Sequence, residues 1–477
     1  MKAFWRRLTL KENPSVYEDK DSHLPRVLRV RDFLALGVGT IVSTSIFTLP
    51  GVVAADHAGP AVALSCLLAS IVAGLVAFAY AEMSAAMPYA GSAYSWINVV
   101  FGEVFAWIAG WALLAEYFIA VAFVASGLSA NLRGLLATFG IGIPNALANP
   151  LGSNGGIVDI FAVIVMILVA VLLSRGVSEA ARVERFLVVL KVMAIIAFIL
   201  IGLSAIHVQN YVPFIPPHQV LPSGKSFGGW SGVYTGVSMI FLAYIGFDSI
   251  AANAAEAKDP EHTMPRGIIG SLIIAVILFV SVSLVLVGMF NYKVYAGNAA
   301  PVGWALTHAG HPVAATVIES IAVLGMFTAL IGMMMAGSRL LYSFGRDGML
   351  PKGLGKLNKN KLPNNALALL TVIGVIIGSV FPFSFLTQLI SAGTLIAFMF
   401  VTLGIYRLRP REGKDIINPA FKMPLYPFLP AAGFIGALIV FIGLDYQAKI
   451  YSGIWFIIGL IVYLLYGVRH SILGQRK

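Results

Sequence analysis

The stretch from Leu34 to Pro50 is apolar at both ends and polar near its middle. Its central residues include two glycines and several hydroxyl side chains, namely Gly37, Gly39, Thr40, Ser43, Thr44 and Ser45. Glycine costs about 1 kcal/mol against alanine inside a helix, and hydroxyl groups compete for backbone hydrogen bonds. We therefore predict a membrane helix that is interrupted here, so that free backbone N–H and carbonyl groups line a small-molecule site.

A second apolar stretch, residues 230–255, contains a glycine and a carboxylate deep inside it. These residues are Gly246 and Asp248. Taken alone, Gly246 could have no role beyond allowing two helices to pack closely. A pair of interruptions in corresponding helices is instead a sequence indicator of a transporter site.

Glu116 lies within the apolar sequence GWALLAEYFIAVAF. A carboxylate at membrane depth is costly, so it is either paired or functional. Two interpretations stay open. Glu116 is a hydrogen-bonded packing acid, or it is a pocket acid that binds substrate or exchanges a proton.

Lys191 lies in the apolar sequence RFLVVLKVMAIIAF. Its long side chain could reach the headgroups at the membrane surface. If it is buried instead, its ammonium group releases a proton more readily than in water. Proton binding could then favour one conformation over another.

The amino-acid composition indicates that these residues belong to a membrane protein. The chain has 477 residues, of which 59% are hydrophobic and 11% charged, and its mean hydropathy is +0.88. We therefore predict a polytopic protein of the lipid bilayer. The net charge of +11 does not cluster on a soluble domain, which argues against a nucleic-acid partner. The one cysteine, Cys66, excludes an internal disulfide, and its apolar surroundings argue against a disulfide-linked subunit.

Twelve apolar runs are long enough to cross a hydrocarbon core of about 30 Å. They lie at about 33–54, 61–86, 103–130, 157–173, 184–205, 230–255, 267–290, 313–343, 366–381, 385–406, 427–444 and 451–468. With the N-terminus inside, 26 of the 32 Lys and Arg residues fall on the inner side. The outer loops hold Arg133, Lys225, Lys293 and Lys449. This asymmetry predicts that both termini lie in the cytoplasm, with the protein in the cell membrane.

Four motifs resemble the amino acid–polyamine–organocation superfamily, and in particular its cationic amino acid transporter-like branch. They are GVGTIVSTSIF at 37–47, AGSAYSW at 90–96, FLAYIGFDSIAANAAEAKDPEHTMPRGI at 241–268 and SRLLYSFGRDGMLP at 338–351. The chain departs from the family at Ser43 and Ser45, where glycine is usual. These hydroxymethyl groups would narrow the pocket or add donors for a carboxylate.

The resemblance implies an all-α membrane fold of twelve transmembrane helices. In this fold, two five-helix repeats are inverted relative to each other, the first and sixth helices are broken, and two helices follow. The expected boundaries are an N-terminal arm at 1–30, repeats at 31–206 and 207–406, helices 11 and 12 at 407–469 and a tail at 470–477. The implied activity is amino acid transport by alternating access.

An amino acid needs donors for its carboxylate and acceptors for its ammonium group. The N–H groups of residues 43–45 would supply the donors, with the Thr44 and Ser45 hydroxyls as additions. Carbonyl groups near the two breaks would supply the acceptors, at Ile41, Leu242, Ala243 and Ile245.

The side-chain wall and the coupling site come from the resemblance alone. It places Met326, which could otherwise be packing, on the side-chain wall with Glu116. It also places Lys191 between the first and eighth helices, where sodium-coupled relatives bind sodium, with Thr328 as its hydroxyl partner.

The remaining charged residues suggest a structural role. Near the inner end of the sixth helix, five of them are expected to form a gate network: Asp248, Glu256, Lys258, Asp259 and Arg266. The histidines lack metal-ligand spacing, and no nucleophile–base pair or phosphate loop is visible. We therefore expect no metal, no cofactor and no enzymatic activity.

The leading interpretation is a proton-coupled amino acid symporter. Its alternatives are an amino acid or polyamine exchanger on the same scaffold and, from another class, a non-transporting amino acid sensor. Met326 favours an apolar substrate side chain, while Glu116 could favour a cationic one. We lean to neutral amino acids.

Overall fold

The protein is a bundle of helices with one very short β-hairpin. The computed structural model describes residues 10–475 except 22, 44, 139, 152–154, 221–225, 299, 381–382 and 445. In chain order the first helices are α1 (Pro14–Asp21), α2 (Val30–Ile41), α3 (Ser45–Val53), α4 (Val62–Ala86), α5 (Ala93–Val100), α6 (Glu103–Thr138), α7 (Asn145–Ala148), α8 (Ile160–Arg175) and α9 (Val177–Leu203). Strands β1 (Gln219–Val220) and β2 (Ser226–Phe227) then pair antiparallel.

The second part of the chain is helical as well. Its helices are α10 (Gly229–Tyr244), α11 (Phe247–Ala252), α12 (Pro260–Met289), α13 (Pro301–His308), α14 (Pro312–Arg346), α15 (Asn364–Val380), α16 (Phe383–Leu408), α17 (Phe428–Ile442), α18 (Tyr446–Val462), α19 (Val468–His470) and α20 (Ile472–Gln475). Proline is the first residue of α12, α13 and α14, where its missing N–H costs no helical hydrogen bond.

The helices are suited to a membrane. Within the described residues, eight helical segments are long and apolar enough to cross one, judged by length and composition. Helices α8, α15 and α17 are shorter but also apolar. The predicted helical membrane class is therefore confirmed.

Helix α9 shows how the bundle meets its surroundings. Five large apolar side chains recur every three or four residues on one face and are exposed: Phe186, Val189, Met193, Ile196 and Leu200. This spacing makes a continuous apolar stripe. In a membrane protein the stripe suits contact with hydrocarbon, so the polar residues on the opposite face of α9 point into the bundle.

The broken helix pair α2–α3 lies at the centre of the packing. Helix α2 contacts α9, α12 and α14, α4 packs along α12, and α6 packs along both α14 and α16. The α6 span is 83% buried, whereas the α18 span is 22% buried. Helices α2 and α6 are therefore interior elements, and α18 is peripheral.

Candidate functional site

The first break separates α2 from α3. The Val42 N–H donates to the Val38 carbonyl at 2.9 Å, and the Ser43 N–H donates to the Ile41 carbonyl at 2.9 Å in a tight turn. The Ser43 and Ser45 hydroxyl oxygens lie 3.4 Å apart, and both side chains are half-buried. Thr44 lies outside the described residues. The interruption is present where the sequence predicts it, although the Ser43 N–H and the Ile41 carbonyl already bond to each other.

The second break separates α10 from α11 at Ile245 and Gly246. Gly246 has φ 131°, a conformation that favours glycine. A Cβ atom at this position would lie 2.9 Å from Thr40 Cγ2. Glycine is therefore required both by its own backbone and by the close approach of α2.

The two breaks face each other. The Ser249 hydroxyl, at the start of α11, lies 3.4 Å from the Thr40 hydroxyl at the end of α2. Leu242 and Ala243 lie in the last turn of α10 and Ile245 directly follows the helix, and the Leu242 carbonyl accepts the Ile245 N–H at 3.3 Å. The structure therefore places the end of α2 against the break between α10 and α11.

Glu116 belongs to a buried acidic cluster beside the second break. The Thr394 hydroxyl donates to Glu116 at 2.6 Å, and the Tyr117 hydroxyl donates to Asp248 at 2.7 Å. The Glu116 and Asp248 side chains are both fully buried. The Thr394 and Tyr117 hydroxyl groups therefore each satisfy one oxygen of a buried carboxyl group within the bundle.

This cluster corrects the expected role of Asp248. Its carboxylate also accepts the Gly246 N–H at 3.2 Å, so its described partners lie at the second break and on α6 and not in a gate network. Tyr117 and Thr394 did not stand out in the sequence. Tyr117 directly follows Glu116, but nothing in the sequence places residue 394 opposite residue 116.

Lys191 is fully buried and ties two helices together. Its ammonium group donates to the Gly39 carbonyl at 2.9 Å, to the Gly325 carbonyl at 3.2 Å and to the Thr328 hydroxyl at 2.8 Å. An ammonium group has three N–H donors, so each finds an acceptor. The side chain does not extend to the surface, and it joins α2 to α14 as the resemblance implies.

Met326 is buried on α14 directly after Gly325, with 1% of its surface exposed. Met326 therefore lies within one helical turn of Gly325 and Thr328, the two α14 residues that accept hydrogen bonds from Lys191. The methionine side chain is apolar and flexible, so it adapts to different neighbours.

One end of the bundle carries α1 and the C-terminal ends of α11 and α14, and we call it the N-terminal face. A buried ion pair lies at this face. The Arg339 guanidinium donates to Glu256 at 2.8 and 3.0 Å, and both side chains are buried. The predicted gate network is thus wrong in its partners. Glu256 pairs with Arg339, Asp259 contacts His262 at 3.1 Å, and the Lys258 N–H donates to the Leu28 carbonyl at 2.9 Å.

Helix α1 is docked on the N-terminal face. The fully buried Tyr17 donates its hydroxyl proton to Asp347 at 2.9 Å, and Lys20 lies 2.9 Å from the same carboxylate. Asp21 accepts the Ala90 N–H at 2.9 Å and pairs with Arg346 at 2.6 Å. The arm therefore joins the end of α14 to the segment before α5.

The protonation of Asp347 bears on how firmly this arm is held. Burial by itself would raise the pKa of Asp347, but the charges of Arg346 and Lys20 outweigh burial and hold that pKa at about 2. A carboxyl group whose pKa is lowered by folding stabilises the folded state above its ordinary pKa of about 4, and this contribution is lost as the pH falls through the lowered value. Asp347 therefore holds the arm throughout the neutral and mildly acidic range.

Replacing Asp347 with asparagine is expected to loosen the arm, because Lys20 and Tyr17 lose a charged acceptor. Amide hydrogen exchange in residues 10–21 should become faster, by the same factor at pH 5 and pH 8. Glu18→Gln is the matched control, since Glu18 is exposed on the same helix. Unchanged protection in Asp347→Asn would show that apolar burial of Tyr17 alone holds the arm.

Two interrupted helices that meet inside an apolar helical bundle are typical of membrane transporters. Comparison with known proteins makes the class specific, because the family model described as amino acid permease matches residues 28–465. The chain belongs to this family.

Individual relatives match most of the chain. The chain is 65% identical over 456 residues to a branched-chain amino acid permease of Lactococcus lactis, covering 96% of this chain and 97% of that protein. It is 34% identical over 461 residues to the methylthioribose transporter of Bacillus subtilis, covering 96% and 97%. A vacuolar cationic amino acid transporter of Arabidopsis thaliana is 34% identical over 390 residues, covering 81% of this chain and 60% of that protein.

Proposed function

We propose that this permease carries neutral amino acids with branched apolar side chains, and that proton entry drives their uptake. The substrate class rests on one observation, the 65% identity to a branched-chain amino acid permease over nearly the full length of both chains. The buried Met326 supports it, because an apolar wall favours apolar side chains.

The proposed substrate site is the space where the breaks meet. Backbone N–H groups at Ser43, Thr44 and Ser45 would bind the carboxylate, since in the sequence these residues lead into α3, and the first turn of a helix carries the positive end of its dipole. Carbonyl groups of Ile41, Leu242, Ala243 and Ile245 would accept from the ammonium group. As substrate enters, the hydrogen bonds from Ser43 to Ile41 and from Ile245 to Leu242 would break, or the same groups would bond to the substrate as well.

The proposed coupling residue is Lys191, with Thr328 as its partner. Its ammonium group bonds to both α2 and α14, so any motion of α2 against α14 changes the surroundings of the proton. A proton bound more favourably in one conformation shifts the balance between conformations. Glu116 is the second candidate, because its carboxyl group shares a buried cluster with Asp248.

The proposed membrane arrangement is twelve spans with both termini in the cytoplasm. Repeats at 31–206 and 207–406 would be inverted, since each would contain five spans, an odd number, with one broken helix at α2–α3 or at α10–α11. The excess of Lys and Arg on the side of the N-terminal face supports its cytoplasmic placement. The arm at 1–30 would then close the inner side.

Purified protein in liposomes tests this function. Labelled leucine, alanine and arginine should be supplied with and without an inward proton gradient, and leucine should accumulate only with the gradient. Exchange of leucine without gradient-driven accumulation would indicate an exchanger. Binding without any transport would indicate a sensor, and preference for arginine would overturn the substrate class.

Met326→Ser is expected to shift selectivity, because it enlarges the side-chain wall and makes it polar. Leucine uptake should fall about tenfold, the usual scale for one poorly filled apolar subsite, while competition by lysine should rise and alanine should change little. Met333→Ser, a second buried methionine of α14, is the control. A parallel loss for all substrates in Met326→Ser would identify Met326 as packing.

A further inference from the structure

Glu184 is a buried carboxylate that the proposed function has not yet used. It lies on α9 seven residues before Lys191, which places both side chains on the same helix face about 10 Å apart along the axis. Its side chain is 1% exposed, and neither carboxylate oxygen has a hydrogen-bond partner among the described residues. An unpaired buried carboxyl group is costly, so its presence calls for a function.

The same residue of α2 contacts both Glu184 and Lys191. The Gly39 carbonyl accepts from the Lys191 ammonium group at 2.9 Å. A Cβ atom at Gly39 would overlap with the Glu184 carboxylate. Glu184 and Lys191 therefore both meet Gly39, Lys191 at its carbonyl group and Glu184 on the side where a Cβ atom would lie.

A small cavity lies on the other side of Glu184. Leu36, Ala181, Ile331 and Met335 give it apolar walls, and Asp32 and Glu184 are its titratable lining residues. Its volume of about 10 Å³ is close to the minimum that holds one water molecule.

The cavity leads toward the N-terminal face through Asp32. This carboxylate accepts the Arg29 N–H at 2.8 Å and is paired with Arg185, whose side chain is 31% exposed. Helix α14 contributes only apolar lining residues at this point. Glu184 and Asp32 line one cavity, and Asp32 pairs with the half-exposed Arg185, so titratable groups lie between the buried Lys191 and the surface.

We propose that Glu184 receives the proton from Lys191 and passes it to water at the N-terminal face. In the first step an N–H bond of the Lys191 ammonium breaks and an O–H bond forms on the Glu184 carboxylate, leaving a neutral amine and a neutral carboxylic acid. In the second step the acid gives its proton to water in the cavity, and the carboxylate is regenerated. This inference rests on the proposed proton coupling and adds the exit route.

The test compares three variants in liposomes. Glu184→Gln keeps the size of the side chain but cannot carry a proton, so leucine counterflow should remain while accumulation on an inward proton gradient is lost. The pH dependence of counterflow should flatten in the same variant. Glu184→Asp should restore part of the accumulation. Glu179→Gln should behave as wild type, because Glu179 is exposed on the same helix.

Three results would overturn the inference, each in a distinguishable way. Wild-type accumulation and pH dependence in Glu184→Gln would make Glu184 a packing acid while leaving Lys191 as the coupling residue. Loss of counterflow in both the Gln and Asp variants would show a structural role. Failure of the wild-type protein to accumulate leucine on a proton gradient would overturn the coupling itself and this exit route with it.

Discussion

Lys191→Ala is expected to abolish accumulation of leucine on an imposed pH gradient while leaving leucine counterflow. The alanine variant removes the proton carrier and the bonds to Gly39, Gly325 and Thr328, but it leaves the two helix breaks intact. Without a titrating group between α2 and α14, the two conformations no longer differ in proton affinity. The free energy of the gradient then cannot be transferred to the substrate. Counterflow and gradient-driven uptake should be measured in the same liposome preparation.

Two further variants make this experiment decisive. Thr328→Ala removes one of three acceptors, so accumulation should fall part of the way. Lys414→Ala, at an exposed position, should match wild type in both assays. Wild-type accumulation by Lys191→Ala would reduce Lys191 to a structural lysine, and the Glu116–Asp248 cluster would become the coupling candidate.

Ser45→Leu is expected to eliminate binding of every amino acid alike. The start of α3 would bind the substrate carboxylate through backbone N–H groups, and a leucine side chain would cover them. Each hydrogen bond to a charged group contributes about 1.5–3 kcal/mol, so affinity should fall at least about tenfold for each bond lost. Equilibrium binding of labelled leucine and alanine to the purified variant measures this.

Ser45→Gly is the matched control, because it opens the same space without blocking the backbone groups. It should retain binding of both ligands. The same pair of substitutions at Ser43 should give the same pattern. Unchanged affinity in both leucine variants would move the substrate site away from the first break.

The breaks could be predicted from the sequence because their causes are local. Glycine and hydroxyl residues weaken a helix wherever they stand, and Gly246 has the positive φ that its residue type permits. The position of Lys191 between α2 and α14 came from the resemblance, since an apolar helix by itself does not say which neighbour its lysine faces.

The buried acid cluster could not be predicted, because it depends on contacts between distant segments. Thr394 and Glu116 are 278 residues apart in the chain. The sequence alone does not distinguish a gate residue from one that bonds to the backbone at a helix break, as Asp248 does. The partner of Glu256 cannot be predicted either, because Arg339 lies on α14, 83 residues away in the chain.

The docked arm has a consequence for the biogenesis of the protein. Tyr17 is synthesised before its partner Asp347, which follows 330 residues later. At a synthesis rate of about 5–20 residues per second, this interval lasts roughly 15 to 65 s. During that time the first spans enter the membrane with Tyr17 and Lys20 undocked. Closure of the N-terminal face is therefore a late event, which occurs only after α14 has been made and inserted.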